Sequence, residues 1–500
     1  MKTTLASLRA RSLPTGALSV RHFSASAASA SRKLVMVNPA TEQQETFAHE
    51  ADTRESIQSK FNAALQARLR AIAAQKEWGR PENLEKRVAT LKKFLELIND
   101  DANVQEGARR LTQDMGKPIS HAAGEVKATR ARVQFFLDNI HSVLQHEVVN
   151  QKDALVEKIS REPLGVIANI APWNYPWFVS CNVYAPALLT GNAILYKPSE
   201  FALRTGEFQM ELLHKAGVPK EVIAPVYGAG DVGAELLRLP VNGVFFTGSV
   251  ATGRKINEAV ASRMIKVGLE LGGKDATYVC EDANVKNAAA SLADGAMFNA
   301  GQSCCSVERI YVQKEVYDEF VEEYVKTVKS FKVGDPMDSA TYLGPLTRGS
   351  QLSFLEEQVK DAVAKGGKLL LGGKRASVAK GYFFEPTVIV DANHSMSLMK
   401  DESFGPIIGI QKVSSEKEAI ELVNDSDLGL TGGVYTKDAE RAKRVLGQYN
   451  TGTAYWNCCD RVAPALPWSG RNFSGLGATL GVEGIRTFTI PKAWHLVSPQ

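Results

Sequence analysis

The sequence predicts an α/β protein built from two parallel-sheet domains, and three observations predict it. The chain has 500 residues, too many for one simple core, so two or three domains are expected. From about residue 164 onward come short apolar runs: "LGVIANIAPW", "NAILYKP", "VIAPVYG", "GVFFTGS" and "MIKVGLE". Each is followed by Gly, Pro or Ser and then a helix-like stretch, the repeat of a parallel sheet wrapped by helices. A second alternation begins at "DATYVC" and continues to "TGGVYT" and "TGTAYW".

Taken in order, the first 41 residues hold no Asp or Glu and are rich in Ser and Ala. Lys2, Arg9, Arg11 and Arg21 account for the whole net charge of +4. That composition is the pattern of a mitochondrial transit peptide, with "RHFSASAASA" as a processing zone. The basic balance belongs to this leader and is no argument for nucleic acid binding. No apolar run reaches the ~18 to 20 residues of a membrane helix.

From Thr53 to about Gln145 the pattern is helical. "VATLKKFLELI" and "VQFFLDNIHSVL" carry apolar residues three and four apart. The first sheet pattern follows, and the two α/β units join near Gly272 and Gly273. In the second unit a helix is expected over 314–331, with Val316, Phe320, Tyr324, Val328 and Phe331 on one face. Residues 143–162 and the C-terminal "RTFTIPKAWHLVSPQ" fit neither unit. They read as strands that pair outside the main body, as an oligomer contact would.

Parallel sheets bind ligands at the carboxyl ends of their strands, and the residues there carry the chemistry. "GAGDVG", Gly228 to Gly233, matches GxGxxG between a strand and a helix. No acid follows about 20 positions on, so a tight turn and a pyrophosphate cradle stay equally open. Lys197 and Glu200 in "YKPSE" lie just past a strand and can bracket a ribose diol, or form a solvated pair. Gly248 and Ser249 in "FFTGSVATGRKI" open a helix whose backbone N–H groups favour phosphate, or Ser249 is a plain N-cap. Glu270 in "LELGGK" ends a strand as a base near a cleft or as a rim carboxylate. Asn174 in "APWNYP" can donate to an oxyanion or serve its own turn.

"NAGQSCCSVERI" puts Cys304 and Cys305 side by side, among only six cysteines. Neighbouring cysteines rarely meet disulfide geometry. There is no CxxC, no HExxH and no Cys/His cluster at zinc spacing, so no metal is expected. The glycine permits a sharp turn that lifts one thiol into a cleft, and adjacent side chains diverge, so one of the pair is packed. The residues alone do not choose between them.

Together these stretches resemble the aldehyde dehydrogenase superfamily. "APWNYP", "YKPSE", "FTGS", "LELGGK", "GQSC", "ESFGP" and "TGTAYWN" occur in order over residues 35–495. The resemblance implies a Rossmann-like NAD-binding domain (34–142 and 163–270) and a catalytic domain (271–480). Residues 143–162 and 481–500 would form the oligomerisation segment of a homodimer or homotetramer, and 1–33 the transit peptide of a matrix enzyme. It implies Cys304 as nucleophile, Asn174 with the Cys304 N–H at the oxyanion, and Glu270 as the base that activates water. NAD would lie along Ile170, Ala171, Pro172 and Trp173. Lys197 and Glu200 would hold the adenosine ribose, Ser249, near Gly248, would contact the pyrophosphate, Glu402 would hold the nicotinamide ribose, and Phe404 would pack by the ring; Gly228 of the GxGxxG match stays a cofactor-binding candidate.

The chain departs from the family pattern at "PWSGRN" (467–472), at Leu428 where Tyr is frequent, and at Trp456. Arg461 falls in the loop "NCCDRVAPALP". These changes bear on substrate class. An aromatic mouth of Tyr175, Trp177 and Trp456 would suit betaine aldehyde or another aminoaldehyde, whereas Arg461 would favour an anionic semialdehyde. A cysteine-dependent thioester hydrolase or acyltransferase is the rival class. It needs a partnered histidine, and none of the eight histidines has a recognisable context.

Overall fold

The computed structural model describes residues 32–73, 78–378 and 380–499. The expected leader lies outside them but for its last two residues. A hairpin of Lys33–Val37 and Gln44–Glu50 opens the described chain. Only Leu34, Met36 and Phe47 turn inward from it, too thin an alternation to mark strands in the sequence.

The helical stretch resolves into Arg54–Ala73, Leu84–Asn99, Asp101–Met115 and Ile119–Leu144. The break at Asp100 is a cap, its carboxylate accepting from Asn103 N–H at 3.0 Å. Gly116, at φ 82°, ends the third helix in the left-handed region, where glycine alone carries no Cβ penalty. Leu91, Phe94, Leu111 and Phe136 from these helices share one core with Trp177 and Leu188 of the helix Pro176–Leu189. Burying side chains of this size contributes about 1.5–3 kcal/mol each, which fixes the long helix Ile119–Leu144 against Pro176–Leu189.

The first sheet has six strands, in the order Gly475–Leu476, Lys266–Glu270, Gly243–Thr247, Val166–Ile170, Ala193–Lys197, Ile223–Pro225. Four of its five pairings are parallel. Gly475–Leu476 runs antiparallel on the edge, contributed from far along the chain. Val166–Ile170 and Ala193–Lys197 are buried throughout, which is why they read as unbroken apolar runs. The chain winds outward from Val166–Ile170 in both directions, so the switch point lies beside that strand.

The second sheet has seven strands, in the order Lys368–Leu371, Thr387–Val390, Ile407–Val413, Val307–Gln313, Asp275–Val279, Thr431–Tyr435, Thr453–Trp456. It too is parallel except for its edge strand, Lys368–Leu371. The helix expected over 314–331 is a short 3-10 turn, Lys314–Val316, followed by the α-helix Tyr317–Lys329. A third sheet joins Glu147–Lys152, Leu155–Pro163 and Thr489–Val497, all antiparallel.

One consequence of this winding positions the site. Gly272 and Gly273 carry the chain from the carboxyl end of Lys266–Glu270 to the amino end of Asp275–Val279. The turns at 302–306 and 401–406 precede Val307–Gln313 and Ile407–Val413. The carboxyl edge of the first sheet and the amino edge of the second therefore supply residues to one place. Among the described residues no helix is long and apolar enough to cross a membrane.

Candidate active site

A cavity of about 1320 Å³ lies where these edges meet, and Cys304, Asn174 and Glu270 all line it. The thiol is held there by a distorted turn. The helix Val285–Met297 ends in a segment where Asn299 (φ 55°), Ala300 (φ 54°) and Gly301 (φ 68°) are all left-handed. Such backbone costs about 1–3 kcal/mol per non-glycine residue and persists only where its surroundings over-determine it. Here they do. Asn299 Nδ2 donates to Gln302 O at 3.1 Å, Gln302 Nε2 to Asn299 O at 3.2 Å, and Thr347 N–H to Gln302 Oε1 at 2.9 Å. A Cβ on Gly301 would strike the backbone of Gly405, and one on Gly273 would come within 2.6 Å of Cys304 O.

The turn answers which thiol is presented. Both thiols reach the cavity, but Cys304 is half-buried there and Cys305 is buried. Cys305 Sγ donates to Asp460 Oδ1 at 3.0 Å. Contact with Cys304, burial and the Asp460 charge all push the Cys305 thiol well up, away from the reactive thiolate. All six cysteines are free thiols.

Asn174 stands at the turn before the helix Pro176–Leu189, and its Nδ2 donates to Gln302 O at 3.2 Å. An amide carries two N–H donors, so one remains for a ligand. Its backbone is pinned from below by a buried ion pair. Lys117 Nζ donates to Glu125 and to Asn174 O, the latter at 2.7 Å, while Glu125 Oε1 accepts from Trp177 N–H at 2.9 Å. The Lys117 ammonium also lies 3.7 Å from the Tyr175 ring centroid. Lys117 and Glu125 carry no sequence signal, because each looks like any charge on a helix.

Glu270 ends its strand and accepts a hydrogen bond from Thr479 Oγ1. Burial pushes its carboxyl up to about 7, against the lowering effect of its Thr479 and Thr247 partners. A carboxyl poised near neutral pH is matched to general base work.

The other half of the cavity has the donors and acceptors a dinucleotide needs. Ile170, Ala171, Pro172 and Trp173 form its wall beyond the strand Val166–Ile170. Lys197 is buried, and its Nζ stands 3.9 Å from Glu200, so both retain capacity for hydroxyls. Gly248 and Ser249 line the wall at the start of the helix Val250–Val260, where Ser249 accepts from Thr252 N–H at 3.3 Å. Free backbone donors there favour phosphate. Glu402 accepts from Gly273 N–H at 3.0 Å, and burial, with Glu308 nearby, pushes it up to about 8. Phe404, at φ 48°, is set by Glu308, which accepts from Ser403 N–H and Phe404 N–H at 2.8 and 2.9 Å. Its ring meets Trp173 edge to face at 5.5 Å, with Arg348 over the Trp173 ring at 5.7 Å.

Two expectations from the sequence need correction. Gly228 does not line the cavity. It makes a tight turn at φ 151° where a Cβ would strike Val232 Cγ2, and Gly230 and Gly233 form the wall instead. Nor do Tyr175, Trp177 and Trp456 form a mouth. Only Tyr175 lines the cavity. Trp177 is fully buried and packs on Phe208 and the Gly107 backbone, and Trp456 is exposed with Nε1 donating to Thr436 O at 3.0 Å. The aromatic wall is Tyr175, Phe178, Phe298 and Trp468. Arg461 lines the cavity as expected, and Arg132 and Asp460, which the sequence did not single out, line it too. The unusual Leu428 pairs with Asn472 of the unusual "PWSGRN", so those two departures are partners.

The sequence model of the Aldehyde dehydrogenase family matches residues 26–494. Betaine aldehyde dehydrogenase of Bacillus subtilis is 34% identical over 461 residues, which cover 88% of this chain and 91% of that protein. The crystal structure of betaine aldehyde dehydrogenase from Staphylococcus aureus in complex with NAD+ superposes with a TM-score of 0.88 at 31% identity, covering 94% of this chain and 92% of that one. An Escherichia coli NADP-dependent enzyme superposes with a TM-score of 0.88 at 29% identity, covering 93% of this chain and 95% of that one.

Proposed function

The chain belongs to the aldehyde dehydrogenase family, and we propose that it oxidises an aldehyde to its carboxylic acid through a covalent adduct on Cys304. It is an NAD-dependent aldehyde dehydrogenase. The observation that carries the mechanistic reading is the convergence of a half-buried thiol, a spare amide donor and a carboxyl near neutrality on one cavity.

The Cys304 thiolate attacks the aldehyde carbonyl. Negative charge develops on oxygen between Asn174 Nδ2 and the Cys304 backbone N–H, which has no partner among the described residues. Such preorganised donors act on the developing charge without reorganising. Bound NAD supplies the acceptor for the hydride that leaves the thiohemiacetal carbon. Glu200 and Glu402 would hold its two riboses, and the start of Val250–Val260 its pyrophosphate. The acyl group is left as a thioester on Cys304, and Glu270 takes a proton from water as that water attacks. Splitting one difficult step into two in this way is the gain of covalent catalysis.

Betaine aldehyde, for which the Bacillus subtilis relative is named, is a cation. The aromatic wall and Asp460 support a cationic substrate for this chain, whereas two arginines in the same wall, Arg132 and Arg461, support an anionic one. We favour the anionic class. A panel of neutral, cationic and anionic aldehydes with NAD, followed by NADH absorbance, tests the reading; no NADH from any member would overturn it.

Two further properties belong to this proposal. Residues 1–33 direct the chain to the mitochondrial matrix, and a reporter carrying them that stays cytosolic would refute this. The sheet of Glu147–Lys152, Leu155–Pro163 and Thr489–Val497 mediates self-association as a dimer or tetramer. Its exposed Val148, Val149, Ile490 and Leu496 support that, and light scattering of a monomer at working concentration would exclude it.

A further inference from the structure

The substrate side of the cavity contains a buried cation with no carboxylate in direct contact, Glu125 and Glu270 acting on it only at longer range. Arg132 lies on the helix Ile119–Leu144, is only 5% exposed, and lines the cavity shared by Cys304. Its guanidinium stacks 3.7 Å from the Phe178 ring centroid, and its Nε donates to Asn182 Oδ1 at 3.1 Å. That is its one hydrogen bond among the described residues. It pairs with no carboxylate, and neither Nη group is sealed away from the cavity.

Three other buried cations are served. Lys117 has Glu125 and a carbonyl, Lys274 has Glu308 and Ser403, and Arg87 has three carbonyls. The acids that face the same cavity are served as well. Asp294 accepts from Tyr342 OH, Asp460 from Cys305 Sγ and Ser303 Oγ, and Glu270 from Thr479. A guanidinium stays charged in any protein setting, and an uncompensated buried charge is strongly unfavourable. Stacking on Phe178 and the Asn182 bond fix the plane of the group and leave its outer edge unused. That edge is a fork of parallel N–H donors, whose natural complement is a carboxylate.

We propose that Arg132 determines substrate specificity: its free edge binds a carboxylate carried by the substrate at the end away from the aldehyde. The substrate class is then a semialdehyde of a carboxylic acid. This rests on the Cys304 reading above and deepens it. Arg461, at the same wall, adds positive potential but sits in a loop, whereas Arg132 is held on two helices. A polar site of this kind rejects an analogue that lacks the group, because the buried donors are then left empty.

The test compares succinic and glutaric semialdehyde with butanal and pentanal, and with betaine aldehyde, in the wild type, Arg132→Met and Arg132→Lys. The wild type should favour each semialdehyde over the neutral aldehyde of equal length by at least ~10-fold in kcat/KM. In Arg132→Met that ratio should collapse toward unity, chiefly through KM, and Arg132→Lys should restore part of it. A wild type that oxidises neutral or cationic aldehydes as well as semialdehydes overturns the proposal, as does an Arg132→Met variant with an unchanged ratio. Calorimetry with succinate and glutarate separates this from the reaction itself. Binding by the wild type that is lost in Arg132→Met supports the Arg132 site even if no aldehyde is turned over, and absence of binding to the wild type counts against it.

Discussion

Replacing Glu270 by glutamine should separate the two halves of the reaction, and the pH dependence should reveal the base. Burial pushes the Glu270 carboxyl up to about 7, so the ionised fraction is ~10% one unit below that value and ~90% one unit above it. The ionised form is the one that draws a proton from water. Where thioester hydrolysis limits turnover, kcat should therefore rise about 10-fold between roughly pH 6 and pH 8 and then level off. Glu270→Gln keeps the shape and removes the base. It should leave a near-stoichiometric burst of NADH on mixing enzyme, NAD and aldehyde, followed by a steady state lower by about 10²–10⁴-fold with no inflection near neutrality. Thr479 lowers the Glu270 pKa by donating to it, so Thr479→Val should move the wild-type inflection to higher pH. Linkage gives a second readout with a definite sign. The folded pKa is raised from 4.5 to about 7, so the folded state binds the proton more tightly than the unfolded one. Below about 4.5 the group leaves stability untouched; between the two values stability falls as pH rises, and above about 7 the loss is constant. Glu270→Gln should flatten that part of the curve. Stopped-flow NADH absorbance measures the burst. A flat kcat from pH 6 to pH 8 in a wild type that shows a burst, or a Glu270→Gln variant with no burst, would refute the assignment.

Cys304→Ala should lower aldehyde oxidation by more than ~10³-fold while Cys305→Ala retains most of it, and the opposite pattern in the NADH assay would reassign the nucleophile. Asn174→Ala should cost about 3 kcal/mol of barrier, roughly 10²-fold in kcat, with little change in NAD affinity; a change confined to KM would remove Asn174 from the oxyanion. The wild type should prefer NAD to NADP, because Glu200 would repel a phosphate on the adenosine ribose, and Glu200→Gln should narrow that preference by about 10-fold in kcat/KM. Tighter NADP than NAD binding by the wild type would show that Glu200 does not face that ribose.

What could be read from the sequence followed from where the backbone leaves a residue little choice. Lys197, Glu270 and the 170–174 segment stand at or just past the carboxyl ends of buried parallel strands. A strand reads as an apolar run, and the polar residue that closes it must lie on the sheet edge, so sequence position settles spatial position. Helix residues have no such anchor. Two positions along a helix are about 200° apart, and the direction of each depends on which face the core claims. Arg130 and Arg132 read as a pair in "TRARV", yet Arg130 is exposed and bonds Asn99 Oδ1 at 2.5 Å while Arg132 is buried at the cavity. Tyr175 and Trp177, at the start of the helix Pro176–Leu189, fail as a pair for the same reason: one faces the cavity and the other the Gly107 backbone. The catalytic groups sit on strand ends and turns, where motifs are legible, and the groups that grip the rest of the substrate sit on helix faces, where they are not. Reaction type is therefore readable from this chain, while substrate class turns on the facing of a single arginine.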